Sequence, residues 1–370
     1  MLRNLLTGWY GTFLQLLIRL SWGVIALPVS IILHLNPVQV GFVATSFYIG
    51  YIVMSIPWGL IIDKIGPSKA IAISSIFLVL LNLVLFLFFK SYLVLTLIYL
   101  LEGLVASSIF PSAMKIVAVS YSNHLTFYVA ILESAGPITI LLLGLISSLI
   151  LNSWRYLFLF FSLAFLLLVV ISTKINIRVN STEVKKSFKV LFDKKIALST
   201  LIRLGELWAT WGTTTWIFSM LVLYRHIPVI LSSSFLLLFG LGQLVGILSV
   251  ERLVSIIGDK KVIMVNLIGF IALTLLIIIT SFPLLVLTEA FFLGIFSFSY
   301  RPPTDSLIMK IGGEGRAGTS IGFANAVSQI GTMIAPTFVG FVLYLTHSFA
   351  FSMLALDLGC IISLICLFLL

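Results

Sequence analysis

Apolar residues run almost without interruption through this chain, broken at intervals by short polar or turn-forming pieces such as Leu35-Asn36-Pro37, Asp63-Lys64-Ile65-Gly66-Pro67, Ile227-Pro228 and Ser281-Phe282-Pro283. The runs are long enough for a helix to cross a hydrocarbon layer about 30 Å thick. They are apolar on every face and do not alternate over about ten residues as barrel strands do, so helices are expected. The pattern predicts twelve spans, at 9–33, 40–62, 70–89, 92–114, 124–150, 154–172, 197–223, 229–250, 262–281, 283–300, 317–345 and 348–370. The first run continues well past signal-peptide length without a small-residue cleavage site, and it reads as helix one.

Composition places the chain in lipid. With 61% hydrophobic and 9% charged residues, it has too little polar surface to cover a soluble globule of 370 residues. The formal charge of +10 would suit an anionic partner such as nucleic acid, but its distribution follows the spans instead. With the N-terminus inside, seventeen of the 22 basic residues fall in inner segments. Lys90, Arg155 and Arg225 fall outside, and Arg19 and Arg203 fall within spans. The positive-inside rule then puts both termini in the cytoplasm, and a multi-pass protein of the plasma membrane is expected, with no nucleic-acid partner. Cys360 and Cys366 lie six apart in the last span, on different helix faces, and imply no disulfide. His34, His124, His226 and His347 are scattered without metal-ligand spacing, so neither a metal nor a cofactor is expected.

The long polar stretch near the middle of the chain divides it into an N-terminal six-helix bundle (1–171), a linker (172–196) and a C-terminal six-helix bundle (197–370). The halves look duplicated. Gly66 and Lys69 recur as Gly258 and Lys261 at an offset of 192, and Gly103 and Pro111 recur as Gly294 and Pro302 at an offset of 191.

The segment Gly59-Leu-Ile-Ile-Asp63-Lys64-Ile-Gly66-Pro-Ser-Lys69 resembles the loop between helices two and three of the major facilitator superfamily, whose pattern is G-x-x-x-D-[RK]-x-G-x-[RK]-[RK]. Ser68 stands where that family has a basic residue. In the second half the motif is reduced to Glu251-Arg252 and Gly258-Asp259-Lys260-Lys261, with Ser255 where the acid would fall. Gly103 with Pro111, Gly136-Pro137 and Trp154-Arg155 are similar in order and spacing to features of helices four, five and six, although Tyr99 replaces a common arginine. The resemblance implies an all-α integral membrane fold of twelve transmembrane helices in two pseudo-symmetric six-helix bundles. It also implies a cytoplasmic gate at Gly59, Asp63, Lys64, Gly66 and Lys69. There Gly59 would allow close helix approach and Gly66 a tight turn, with Asp63 pairing across a seam between the halves.

Charges submerged in the spans are the candidate chemistry, because each costs about 2.5 to 3.5 kcal/mol at mid-depth unless paired or hydrated. Arg19 lies about 15 Å into helix one, and its planar fork suits a carboxylate or phosphate. Arg19-Leu-Ser-Trp-Gly-Val-Ile-Ala-Leu-Pro28 also resembles helix one of anion-transporting branches of the family. Arg203 lies about 10 Å nearer the cytoplasm than the repeat of Arg19, and can pair with Glu206 one turn away. Glu102, Glu133 and Glu206 are candidate proton carriers, with Glu102 or Glu133 alternating between a proton and Arg19. Glu289 and Asp357 read as solvated or structural. Among the aromatics, Trp22 and Trp211 are the candidate ligand contacts, against the default of packing.

Enzyme signatures fail. Gly313-Glu-Gly315-Arg-Ala-Gly318 spells a dinucleotide fingerprint but follows no strand, and no nucleotide-binding G-x-x-x-x-G-K-[ST] loop occurs. Asn180-Ser181-Thr182 is a glycosylation sequon on the cytoplasmic side, where it would not be used. The sequence therefore points to a secondary active transporter, a monomer, moving a small solute by alternating access with protons as coupling ion and an organic anion as substrate. A drug or metabolite/proton antiporter and a non-transporting transporter-like receptor are the alternatives. In a cysteine-free background, single cysteines at Arg3 and Leu370 are expected to react with impermeant thiol reagents from the same, cytoplasmic side. Labelling from opposite sides would remove the paired-bundle reading.

Overall fold

The computed structural model describes residues 2–89, 91–121, 125–175, 193–312 and 317–370. Most of the linker, the sequon and Gly313 to Arg316 lie outside these residues, as do Lys90 and His124. The described residues form helices only, in the order α1 (Leu2–Leu20), α2 (Trp22–Leu33), α3 (Pro37–Ile65), α4 (Pro67–Phe88), α5 (Tyr92–Ala106), α6 (Ile109–Ser120), α7 (Leu125–Glu133) and α8 (Ala135–Thr173). There follow α9 (Lys194–Leu223), α10 (Val229–Ile257), α11 (Asp259–Ile279), α12 (Pro283–Phe298), α13 (Arg301–Gly312), α14 (Ala317–Thr346) and α15 (Phe349–Leu369).

Ten stretches among the described residues are long and apolar enough to cross a membrane. One of them, Tyr128–Thr173, is 46 residues long and is bent at Ser153, whose φ of −130° leaves the helical region. Counting its two limbs apart, and adding the 30-residue α9, agrees with twelve spans. Several spans are two helices in line. Breaks at Ser107–Ser108 and Ser299–Tyr300 separate α5 from α6 and α12 from α13. Pro302 and Pro303 supply no N–H to the helical ladder, which accounts for the second break. The tenth span thus runs from Pro283 to Gly312, twelve residues beyond the boundary expected at 300, and carries polar side chains that the apolar pattern had assigned to a loop.

Helix ends obey local chemistry. Ser91 and Ser348 cap α5 and α15 by accepting from Val94 N (3.3 Å) and Phe351 N (3.4 Å), and Asp193 caps α9 by accepting from Lys195 N (2.9 Å). His34, His226 and His347 follow α2, α9 and α14 in the left-handed region, at φ of 50°, 52° and 49°, where glycine or asparagine is usual. The carbonyls left open at the end of α4 are taken by Arg155, which donates to Phe86 O (2.7 Å) and Leu87 O (3.1 Å). Those at the end of α11 are taken by Arg225, which donates to Ile277 O (2.6 Å) and Thr280 O.

The chain divides into two compact units, Met1–Leu35 with Phe42–Thr139 and Ser147–Glu183, and Asn36–Gly41 with Ile140–Ile146 and Val184–Leu370. Two glycine crossings and one hydrogen bond of the first unit recur in the second at the sequence offset. In the first, a Cβ on Gly103 would lie 1.9 Å from Phe47 O and one on Gly50 would lie 2.1 Å from Leu100 O, so α3 and α5 meet backbone to backbone. In the second, Gly294 meets Phe239 O at 2.1 Å and Gly242 meets Phe291 O at 2.0 Å, which joins α10 to α12 in the same way. The Ser74–Ser108 hydrogen bond has its counterpart in Ser299 donating to Asn266 (2.6 Å).

Such crossings admit no side chain. Gly103→Ala or Gly294→Ala is expected to cost about 1–3 kcal/mol by forcing the helices apart, read as a fall in apparent Tm in detergent. Gly59→Ala is the control, since a Cβ there meets nothing within 4 Å and should be neutral or slightly stabilising.

Candidate substrate and coupling site

The second unit holds a buried polar cluster built on one face of α9, where Arg203, Glu206 and Thr210 follow at helical spacing. The Arg203 side chain is 4% exposed and is ion-paired with Asp305 of α13. Its Nη2 also donates to Asn325 Oδ1 of α14 at 3.2 Å. The Glu206 carboxylate, fully buried, accepts from the Thr304 hydroxyl of α13. Glu206 O accepts from the Tyr300 hydroxyl at 2.8 Å, and Thr210 bridges that hydroxyl to Ser297 O, 2.6 Å away in the last turn of α12. Gln243 of α10 donates to Ser297 Oγ at 3.2 Å.

The helix break makes this arrangement. It turns Tyr300, Thr304 and Asp305 toward α9, and it frees backbone carbonyls that α9 hydroxyls can satisfy. Glu206, Thr210, Trp211, Ser297, Tyr300 and Arg301 line a cavity of about 10 Å³, too small for a solute in this conformation. The matching positions of the first unit are Gly11, Leu14, Ile18, Ala113 and Met114, in place of Arg203, Glu206, Thr210, Thr304 and Asp305. The cluster is therefore an addition to one copy of a duplicated scaffold.

In the first unit the candidates sit in a more aromatic setting. Arg19, in the last turn of α1, lies over the Tyr48 ring at 5.3 Å. Trp22 is buried edge-on against Tyr99, with centroids 5.3 Å apart. Glu102, one turn beyond Tyr99, is buried with Oε1 unsatisfied among the described residues, and it is not ion-paired to Arg19. Glu133 ends α7 half-buried. Glu289 and Asp357 are buried rather than solvated, and each accepts a hydrogen bond of 2.6 Å, from Thr280 and Thr274 respectively.

At the gate motif, Gly66 adopts φ +87° and turns the chain into α4, while Lys64 and Lys69 are exposed. Close helix approach does not occur at Gly59, whose α-carbon faces open space. Asp63 is ion-paired with Lys115 of α6, inside its own unit. The acid missing at Ser255 reappears four residues later as Asp259, which is ion-paired with Lys310. Lys310 in turn lies four residues beyond Ser306, the position that matches Lys115. Acid and base have each moved by four residues, the acid across Gly258 from the end of α10 to the start of α11 and the base along α13.

Sequence reasoning missed Asp305, Thr304, Tyr300 and Asn325 around Arg203 and Glu206, as well as Lys115 and Lys310. The signal was present: the repeat matches Pro302 to Pro111, which lies inside a span, so the tenth span had to continue past Pro302 and include Asp305.

The family model of the Major Facilitator Superfamily matches residues 11–336 and 214–370. No curated protein matches the sequence. Among solved structures, the chain is similar to a variant of the nucleoside transporter NupG, with a TM-score of 0.79 at 14% identity over 99% of this chain and 98% of that one. A bacterial homologue of the human lysosomal transporter Spinster, inward-facing and occupied, gives 0.78 at 15% identity over 99% and 95%. A D-xylose-proton symporter gives 0.78 at 14% identity over 98% and 96%.

Removing one partner of a buried ion pair strands the other. Asp305→Ala is expected to destabilise the protein by about 3–5 kcal/mol, whereas Arg203→Met with Asp305→Leu should recover most of that loss. Thermal denaturation of the single and double variants measures the difference.

Proposed function

The chain belongs to the major facilitator superfamily, and from that premise we propose a secondary active transporter that moves a small organic anion by alternating access, coupled to protons. The supporting observation is that Asp305 holds the Arg203 guanidinium in an ion pair, while the buried Glu206 carboxylate, three residues along α9, accepts from the Thr304 hydroxyl. In a medium of low dielectric a carboxyl is held either paired or neutral. Asp305 takes Arg203, which leaves Glu206 to take up and release a proton, and transfer of Arg203 or of the nearby Arg301 to Glu206 is the coupling step. Glu102, buried with one carboxylate oxygen unsatisfied among the described residues, is the second proton-carrying candidate, and Glu133 the third.

The anion reading rests on Arg19. Its guanidinium carbon lies 5.3 Å from the Tyr48 ring centroid, its planar fork has the shape that matches a carboxylate, and Trp22 in the same unit is the candidate apolar contact. The protein in this reading is a monomer of the plasma membrane with both termini in the cytoplasm, and the ion pairs of Asp63 and Asp259 tie helix ends together within each unit.

Purified protein first meets a panel of mono- and dicarboxylates in a thermal-shift screen, with hydrophobic cations as the contrasting set. Stabilisation by the cations alone would overturn the anion assignment. In proteoliposomes the stabilising anion should accumulate down an imposed proton gradient. Arg19→Ala is expected to abolish saturable uptake. Glu206→Gln should lose gradient-driven accumulation by about a hundredfold while retaining binding. Ligand binding by the native protein without flux would favour a transporter-like receptor.

A further inference from the structure

The first turn of α4 borders a cavity of about 340 Å³, lined by Ile65, Gly66, Ser68, Lys69, Ser172 and Thr173. A helix leaves its first N–H groups without intrahelical acceptors and presents partial positive charge there. In α4 that charge is unanswered among the described residues, since Gly66 provides no side-chain cap, Pro67 fills the first position and the first turn contains no acid. The Ser68 side chain is 94% buried, lines the cavity, and its hydroxyl has no hydrogen-bond partner among the described residues. Ser172 and Thr173 have spent their protons on Val169 O (3.0 Å) and Val170 O (3.1 Å). Lys69 lines the same cavity, no acid among the described residues does, and Asp63 nearby in sequence is occupied by Lys115.

The duplicate helix shows what is missing. α11 also starts from a glycine of positive φ, Gly258 at +81°, but its first residue is Asp259, so the chain supplies its own anion at that helix start. Ser68, the residue by which this chain departs from the family's basic pattern, stands in α4 as an idle donor instead.

We infer that the cavity at the start of α4 binds a phosphate group, held by the Ser68 hydroxyl, the Lys69 ammonium and the first backbone N–H groups of the helix. An anionic phospholipid headgroup and a free phosphate share this chemistry. The surroundings suit the lipid: Ile73 and Phe77 on α4, and Leu166 and Val170 on α8, are exposed apolar side chains at four-residue spacing that continue from the cavity along the two helices, as acyl chains would.

The full-length protein in detergent is titrated with dihexanoyl phosphatidylglycerol, dihexanoyl phosphatidylcholine and inorganic phosphate, with Tm as the readout. Phosphatidylglycerol is expected to raise Tm more than phosphatidylcholine at equal concentration. A response to phosphatidylglycerol alone assigns the site to lipid, and an equal response to inorganic phosphate assigns it to free phosphate. Ser68→Ala should weaken the response about tenfold, the value of one hydrogen bond to a charged group. Pro67→Asp, which copies Asp259, should raise the ligand-free Tm and abolish the response. Ser68→Thr keeps the hydroxyl and should keep the response, so a loss through misfolding is distinguishable. Lys260→Ala, at the duplicate end, should change nothing. An undiminished response in Ser68→Ala and Pro67→Asp, or no response to any of the three probes, overturns the inference.

Discussion

A polar group surrounded by hydrocarbon has no water to fall back on, and this constraint shapes every level of the molecule. The backbone meets it by being helical throughout the described residues. Hydroxyls meet it by bonding to the preceding turn, as Thr12 does to Gly8 O (2.9 Å), Thr139 to Ala135 O (2.7 Å) and Thr200 to Ile196 O (2.7 Å). Charged side chains meet it by pairing, or by closing a helix end, as Arg155 and Arg225 do at the ends of α4 and α11. Among the described residues, one oxygen of Glu102 and the hydroxyl of Ser68 are not answered in these ways, and at these two places chemistry from outside the chain is expected.

Duplication provides the scaffold and divergence provides the site. The glycine crossings of α3 with α5 and of α10 with α12 are alike to within a few tenths of an ångström, because neither pair of backbones tolerates a side chain between them. Positions that do not bear on these crossings are free to differ. At five of them one copy carries a glycine, two aliphatic side chains, an alanine and a methionine, while the other carries the arginine, acids and threonines of the buried cluster. A fold that repeats thus supports a site that does not.

The fold was legible because length of apolar run, glycine spacing and the distribution of basic residues are all direct consequences of lipid as solvent. Arg203, Glu206 and Trp211 were legible as one group for the same reason, being polar or amphipathic side chains on one apolar helix. Asp305 was not, because the segment from Arg301 to Asp305 reads as a turn until its polar side chains are seen to be satisfied by α9. Gly59 illustrates the opposite error: a glycine in a recognised motif suggests a tight contact, and only the neighbours' positions show that none is made. Periodicity reports which face is apolar, and it is silent about polar groups that find partners across helices.

The second copy's tie between Asp259 and Lys310 also bears on how duplicated proteins drift. An exposed ion pair is worth about 1 kcal/mol or less, so its acid can vanish from the end of one helix and reappear at the start of the next with the fold intact throughout. What selection can hold constant in such a tie is the reach of two side chains, not the address of either. Aligning the two halves column by column would score the acid at Ser255 and the base at Ser306 as lost, although the bond between those two strands of ancestry survives one rung away.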